Sequence, residues 1–365
     1  MIKKFHVLYV GQIELDNIGL NGTPANDRRY SSDRLSEAFA TCRDVAQTMD
    51  ELGFYALWTA EHHFQREGYE CLPNLIQLGL WLATQTKRLK FGCAFNVLPM
   101  WHPIRLAEDY AMADIVTDGR VIMGVGRGYH TREVETFGAP LLDAEANREY
   151  FEEQLQLLLK CFNEEAFYHK GKYFECPPPV PYRGYTLKEI TVIPRPKHLP
   201  VEIWMPIASG KTIDMMARYG FKAMVTLNGE KILDDVVRAY HDACHRHGQA
   251  KALGQDVIWG AGVYLADTVE EAIQRVEPAQ RLGVAVGEID AGAPDHVLPE
   301  LLAPAVAGAR GLIGAHDVIE NFFSIERHHC LEIVARHQVD GLAARNRHED
   351  FDRQMLGTRH HGDVG

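Results

Sequence analysis

The hydrophobic positions of this chain fall into short apolar runs separated by amphipathic stretches. Phe5 to Gly11 reads as an opening strand, followed by a polar, Gly- and Asn-containing loop through Ser32. Leu35, Ala38, Phe39, Cys42, Ala46 and Met49 then recur three and four apart, with Arg34, Glu37, Arg43 and Asp50 on the opposite face. That period marks an amphipathic helix, stopped by Gly53. A buried strand opens at Tyr55, Leu75 to Thr84 gives a second helical run, and Leu89 to Leu98 a third strand stopped by Pro99. Pro103 sits near the first turn of the next helix, where a missing N–H costs nothing. Asp118-Gly119 turns into a fourth strand, Val121 to Gly126, and Phe151, Leu155, Leu158, Leu159 and Phe162 mark a long helix.

After that helix the pattern breaks. From Asn163 to Pro200 the chain is rich in Pro and Tyr, with no sustained period. A segment of this length without structure of its own is expected to be a lid or binding loop, with a merely solvated insertion as the alternative. Alternation resumes at Val201-Glu202-Ile203-Trp204, with a short helix from Lys211 to Tyr219 capped by Gly220 and a strand from Phe221 to Thr226. A helical face follows at Leu233, Val236, Val237, Tyr240 and Cys244, then a strand from Val257 to Leu265. Thr268 with Glu271 forms a capping box. Beyond Arg281 the Gly- and Ala-rich run to Gly314 reads as loop or loose helix, and Gln338 to Ala344 as a last strand.

Strands near residues 5, 55, 90, 121, 201, 221, 257 and 338 make eight, nearly all followed by a helix or long loop. The economical fold is α/β: a parallel (β/α)8 TIM-type barrel with a long insertion loop. A doubly wound open sheet is the alternative. One barrel domain spans residues 1–365, with the 163–200 insertion, a late insertion at 281–337 and a flexible tail at 355–365.

Composition narrows the class. Hydrophobic residues at 46% and charged residues at 24% describe an ordinary globular chain. The net charge of -12 disfavours nucleic acid and anionic membrane surfaces as partners. The seven cysteines form no Cys-x-x-Cys pair, which fits reduced thiols in a cytoplasmic protein. The apolar run after Lys3-Lys4 is too short for a signal peptide, and no stretch reaches transmembrane length.

Chemistry concentrates at Leu57-Trp58-Thr59-Ala60-Glu61-His62-His63-Phe64. Neighbours in a strand point to opposite faces, so His62 and His63 do not share one pocket unless the backbone turns. One of them is expected to be structural, tied to Glu61 or a backbone carbonyl. Gly124-Val125-Gly126-Arg127-Gly128-Tyr129 has the outline of a dinucleotide fingerprint. It lacks the helix that should open at once and the acidic residue about twenty positions on. It reads either as a strand-end turn in which Arg127 forks an anion or as a tight turn with a solvated arginine. Ala208-Ser209-Gly210-Lys211-Thr212, at a helix start, reads as a second anion site or as an ordinary Ser cap. His328-His329 and His360-His361 lack further ligands at metal spacing, and no metal is expected.

Taken jointly, these motifs resemble the bacterial luciferase-like flavin monooxygenase family over roughly residues 1 to 280. The resemblance rests on Trp58 to Phe64, Gly119-Arg120 leading into Gly124 to Tyr129, Phe137-Gly138, and Leu98-Pro99 followed by His102-Pro103, Arg105 and Ala107-Glu108-Asp109. It implies a barrel with FMN at the C-terminal strand ends. Arg127, with the backbone of Gly128 and Tyr129, would bind the FMN phosphate, completed by Ser209 and Thr212. His62 falls on the catalytic histidine, with Glu61 beside it. Ala94-Phe95 falls where some members carry a non-prolyl cis peptide under the flavin ring, and Asn96 near the flavin edge. Trp204 to Ala208 departs from the Trp-x-Gly-Gly turn common in the family.

The implied activity is a two-component monooxygenase. A separate NAD(P)H flavin reductase would supply reduced FMN, which with O2 would form a 4a-hydroperoxyflavin and oxygenate a small organic substrate. A dimer is also implied. Two alternatives stand beside it: an oxidoreductase using a deazaflavin coenzyme for hydride transfer, and a non-catalytic flavin-binding protein. Aromatic residues of the insertion, among them Phe167, Tyr173 and Tyr182, suit a substrate with apolar surface, while Arg183 and Arg195 leave room for an anionic group.

Overall fold

The computed structural model describes residues 4–17, 22–207, 210–225, 230–259, 262–263 and 331–332. Strand β1 (His6–Tyr9) leads through a 3-10 turn to α1 (Ser32–Leu52), β2 (Ala56–Thr59), α2 (Leu75–Gln85), β3 (Lys90–Cys93) and β4 (Asn96–Val97). Then come α3 (Pro103–Thr117), β5 (Val121–Gly126), α4 (Thr131–Val134) and α5 (Ala144–Asn163). Two small hairpins follow, β6 (His169–Lys170) with β7 (Glu175–Cys176) and β8 (Pro181–Tyr182) with β9 (Tyr185–Thr186). The chain continues as β10 (Ile203–Pro206), α6 (Gly210–Tyr219), β11 (Lys222–Val225), α7 (Glu230–Arg246), β12 (Val257–Trp259), β13 (Gly262–Val263) and β14 (Leu331–Glu332).

Local chemistry sets the helix ends. Ser31 Oγ accepts the Arg34 N–H at the start of α1, and Gly53 closes that helix at φ 79° in the left-handed region. Asn74 caps α2, Pro103 occupies the first turn of α3, and Asp143 caps α5 through the Glu145 and Ala146 N–H groups.

The sheet runs β12-β11-β10-β5-β3-β2-β1, so the main strands lie side by side in chain order, and each neighbouring pair along it is parallel. An open doubly wound sheet would reverse its order part-way; this one does not. It is the arc of a (β/α)8 TIM-type barrel. The outer edge of β1 is taken by β14, antiparallel, which also pairs β13. The last strand expected at Gln338 to Ala344, the capping box at Thr268, the tail at 355–365 and nearly all of 281–337 lie outside the described residues.

Strands β2, β3, β5, β10 and β11 are buried on both faces, which is why they read as continuous apolar runs. Outward residues such as Val7, Leu57, Phe91, Met123, Val125 and Met205 join the large core beneath the helices. Inward residues Ala56, Trp58, Ala94, Ile122, Trp204 and Met224 fill the barrel. Leu8, Trp58, Gly92 and Ile122 stand in register across β1, β2, β3 and β5. Trp58 meets Trp204 edge-on at 5.6 Å between centroids and donates its indole N–H to His6 Nδ1 at 3.0 Å. A Cβ at Gly92 would stand 2.1 Å from the Trp58 ring. The glycine is what gives that indole its space.

Three sequence expectations change. The strand expected over Leu89 to Leu98 is two strands, because the chain breaks register at Ala94-Phe95, whose peptide is cis. The 163–200 segment carries its own hairpins, and its main-chain N–H groups are gathered by carboxylates on α3 and α5. Glu153 accepts from the N–H groups of Lys172, Tyr173 and Phe174, and Asp114 from those of Lys197 and His198. Asp50, placed by its period on the polar face of α1, is only 8% exposed. Its carboxylate accepts the N–H groups of Lys87, Arg88 and Leu89 at 2.9, 2.7 and 2.7 Å, fixing the entry to β3.

Burial by itself would raise the Asp50 pKa, but these three N–H donors and the Arg88 charge bring it below the ordinary carboxylate value. A lowered folded-state pKa contributes stability that is present above the unfolded value of about 3.9 and lost as pH falls through the folded one. Asp50→Ala is therefore expected to cost on the order of 3 kcal/mol at neutral pH. Urea midpoints measured against pH should show the gap between wild type and variant closing at acid pH.

Candidate functional site at the C-terminal strand ends

The C-terminal ends of β2, β3, β5 and β10 open on one rim, the position at which barrels of this type carry their chemistry. Just past β2 the chain presents Glu61, His62 and His63, and the structure separates their roles. His63 Nε2 lies 3.0 Å from Glu61 Oε1. Glu61 is 2% exposed and also accepts the Val97 N–H at 2.7 Å and the Trp101 indole N–H at 2.9 Å. Burial pushes its pKa up, and the His63, Val97 and Trp101 contacts oppose that. With its oxygens occupied in this way, Glu61 acts as an anchor for the 97–101 turn.

His62 points the other way. Its Nδ1 lies 3.2 Å from Glu133 Oε1, and its Nε2 lies 3.2 Å from Glu70 Oε1 and 3.3 Å from the Tyr129 hydroxyl. Glu133, on α4, also accepts the His63 main-chain N–H and the Gln65 amide. Burial would raise its pKa, but the hydrogen bonds from His62 and His63 bring the balance below the usual value. The Glu133 carboxylate at Nδ1 orients the ring so that Nε2 faces the mouth beside Glu70 and the Tyr129 hydroxyl. Glu70 differs, since burial and the Glu133 charge raise its pKa against the pull of His62.

Ala94 and Phe95 cross in front of β5 at close range. A Cβ on Gly124 would lie 1.8 Å from the Cys93 carbonyl oxygen, and one on Gly126 would lie 3.3 Å from Phe95 Cβ. Beneath them Asn96 is fully buried, with Nδ2 donating to the Gly124 carbonyl at 3.0 Å and Oδ1 without a hydrogen-bond partner. Gly124 thus serves close approach of neighbouring backbone, and Gly126 and Gly128 that of neighbouring side chains. Gly128 takes φ 78° and sits against Val97 and Val134. A short helix, α4, does open soon after this turn, at Thr131.

A cavity of about 440 Å³ adjoins Arg127 and the start of α6, lined by Arg127, Arg148, Lys211, Thr212 and Arg218 together with Glu152 and Asp214. Arg218 is paired with Glu152, and Asp214 with His247. Among the described residues no carboxylate lies at ion-pair distance from Arg127 or Arg148. Burial, and then the Arg148 charge, lower the Arg127 pKa. Two guanidiniums beside a helix N-terminus, with no carboxylate at ion-pair distance among the described residues, make a site for an anion. Arg127 Nη1 donates to Asn147 Oδ1 at 3.2 Å, and Asn147 Nδ2 is buried with no partner. Thr212 lies in the first turn of α6; Ser209 is outside the described residues.

Sequence reasoning missed Glu70, His130, Glu133, Asn147 and Arg148. All but Asn147 and Arg148 sit in loops or a one-turn helix, where no period marks which side chain turns inward. Asn147 and Arg148 are on α5, where a polar residue reads as solvated. The described cysteines are all free thiols, and no helix among the described residues is long and apolar enough to cross a membrane.

The family model for luciferase-like monooxygenases matches residues 19–310. The oxygenase component of a flavin-dependent trigonelline monooxygenase from Acinetobacter baylyi is 26% identical over 63% of this chain and 60% of its own length. The chain spans less than two thirds of the curated relatives it matches. The oxygenating constituent of 3,6-diketocamphane monooxygenase from Pseudomonas putida, solved with FMN, superposes with a TM-score of 0.56 at 22% identity over 71% of this chain and 70% of that one. An F420-dependent secondary alcohol dehydrogenase superposes with a TM-score of 0.57 at 15% identity over 96% and 91%. These likenesses agree with the barrel arc seen here.

Gly124→Ala should force the Cys93 carbonyl and Phe95 off their positions and destabilise the protein by about 1–3 kcal/mol. Denaturant melts of this variant beside Gly210→Ala, whose Cβ would meet nothing within 4 Å and which has no left-handed φ, separate the steric clash from general glycine effects.

Proposed function

The chain belongs to the luciferase-like monooxygenase family, and from that membership and the geometry of its mouth we propose that it is the oxygenase of a two-component flavin monooxygenase. The observation that carries the reading is the pair of guanidiniums, Arg127 and Arg148, with no carboxylate at ion-pair distance among the described residues, at the start of α6 and on the rim that bears His62. That cradle fits a phosphate. Arg127, the backbone of Gly128 and Tyr129, Thr212 and Ser209 would hold the FMN phosphate, with Ala94, Phe95 and Asn96 beside the isoalloxazine ring. The orphaned Asn96 Oδ1 and Asn147 Nδ2 are polar groups that a ligand can satisfy.

Bound in reduced form, the flavin supplies two electrons to O2, so that one oxygen atom enters a small organic substrate and the other leaves as water. The chain's own residues then have defined tasks. Glu133 orients His62 through Nδ1, and His62 Nε2 holds or moves the proton, next to the Tyr129 hydroxyl. Glu61 keeps the 97–101 turn and His63 in place, a positioning role. A separate NAD(P)H reductase would deliver the reduced flavin. The apolar side chains Trp81, Met112, Ile115 and Val116, exposed on the neighbouring helices α2 and α3, favour self-association as a dimer.

The second reading is hydride transfer with a deazaflavin coenzyme. It is favoured by the further cations of the same cavity, Lys211 and the Glu152-paired Arg218, which suit a longer anionic tail. One titration series distinguishes the two: fluorescence binding of FMN, riboflavin and coenzyme F420 to the full chain. Arg127→Ala should weaken FMN by about tenfold or more, the equivalent of about 1.4 kcal/mol, and riboflavin much less. Equal weakening of both would remove the phosphate contact, and tight binding of F420 alone would install the hydride-transfer reading.

His62→Ala should retain flavin binding yet release more of the consumed oxygen as hydrogen peroxide. Oxygen-electrode traces with and without catalase measure that share. Unchanged coupling would take His62 out of the mechanism.

A further inference from the structure

His62 has a second environment that the flavin reading does not use. Its Nδ1 lies 3.2 Å from Glu133 Oε1 and its Nε2 lies 3.2 Å from Glu70 Oε1, so Nε2 and a second carboxylate oxygen face each other. A cation between them resolves that contact, whether a proton or a metal ion. His130 Nε2 approaches the other oxygen of the same carboxylate at 3.8 Å, and one ligand atom each from His62, Glu70 and His130 falls within 4.8 Å of the others.

Two ligands bound tetrahedrally at Zn²⁺ distances of about 2.0–2.1 Å lie roughly 3.3–3.4 Å apart. The separations of 3.2 and 3.8 Å bracket that value. The donor set, two imidazoles and a carboxylate with a fourth position left open, is one that zinc takes in proteins. Glu133 on the far nitrogen of His62 supplies the outer carboxylate that fixes the tautomer and raises ligand basicity. Glu70 and Glu133 together balance a divalent charge. Neither His130 nor Glu70 is required for the proton role assigned above.

We infer that His62, Glu70 and His130 form a binding site for a zinc-type divalent ion, and that its occupancy blocks His62 Nε2. Metal binding stands on the three side chains alone. The inhibitory consequence rests on the proposed oxygenase reading, because it is the proton-exchanging nitrogen that the metal takes.

The test begins without flavin. Tag-free full-length protein is titrated with Zn²⁺ by calorimetry, beside Glu70→Gln and His130→Gln. The expected result is one ion per chain at a Kd near or below about 1 μM, weakened at least about tenfold in each variant. Co²⁺ in place of Zn²⁺ should give the intense visible bands of a tetrahedral site in the wild type and lose them in both variants. Thermal unfolding of the metal-free proteins controls for folding. Zn²⁺ binding of equal strength in wild type and both variants would overturn the site, placing the ion elsewhere, as would a wild type that fails to bind at about 100 μM. Flavin-dependent oxygen consumption with added Zn²⁺ then tests the second half. Stoichiometric binding that leaves coupled turnover intact would overturn the block on His62. Absence of any flavin activity would count against the oxygenase reading while the calorimetric result stands.

Discussion

The interaction on which this structure depends is a buried carboxylate that collects the main-chain N–H groups of a passing segment. Asp50 does this for residues 87–89, Asp114 for 197–198, and Glu153 for 172–174. Each satisfies donors that burial would otherwise leave unpaired, and charge-assisted bonds of this kind are stronger than neutral ones. Parallel strands need long connections, and those connections carry many N–H groups with no sheet partner. Helix-borne acids supply the partners.

The same device, repeated at the mouth, divides two adjacent histidines between two tasks. Glu61 takes Val97, Trp101 and His63, while Glu133 takes His62 and the main chain of His63. One imidazole is thereby fixed into the scaffold and the other is set facing the opening. The low exposure of His62, 6%, keeps its polar partners few and defined. Around the barrel toward β10, the electrostatics reverse sign. Carboxylates cluster near His62, and guanidiniums cluster near α6.

The barrel was legible in the sequence because two-sided burial writes strands as apolar runs, and helix faces repeat every three or four residues. The ends of α1, α3 and α6 could be read from Gly53, Pro103 and Gly220 for the same local reasons. Asp50 could not, since period alone assigns a polar helical residue to solvent; only the loop arriving from 37 residues away turns its burial into a gain. The break at Ala94-Phe95 was invisible to periodicity, because both residues fit an apolar strand, and came instead from the family pattern. At the site, His62 was legible from its strand-end cluster. Glu70, His130 and Glu133 were not, because loop side chains have no period to reveal their direction.

Asp50 and Asp114 sit near the entry to β3 and β10, at the opposite end of the barrel from His62 and Arg127. These two tethers are therefore set at the other end of the molecule from the chemistry. A drift of loop sequence at the mouth alters what the cavity accepts while leaving the tethers beneath intact. Such a chassis lets selection explore new reactants one substitution at a time, with the cost of each trial confined to the rim on which it is made.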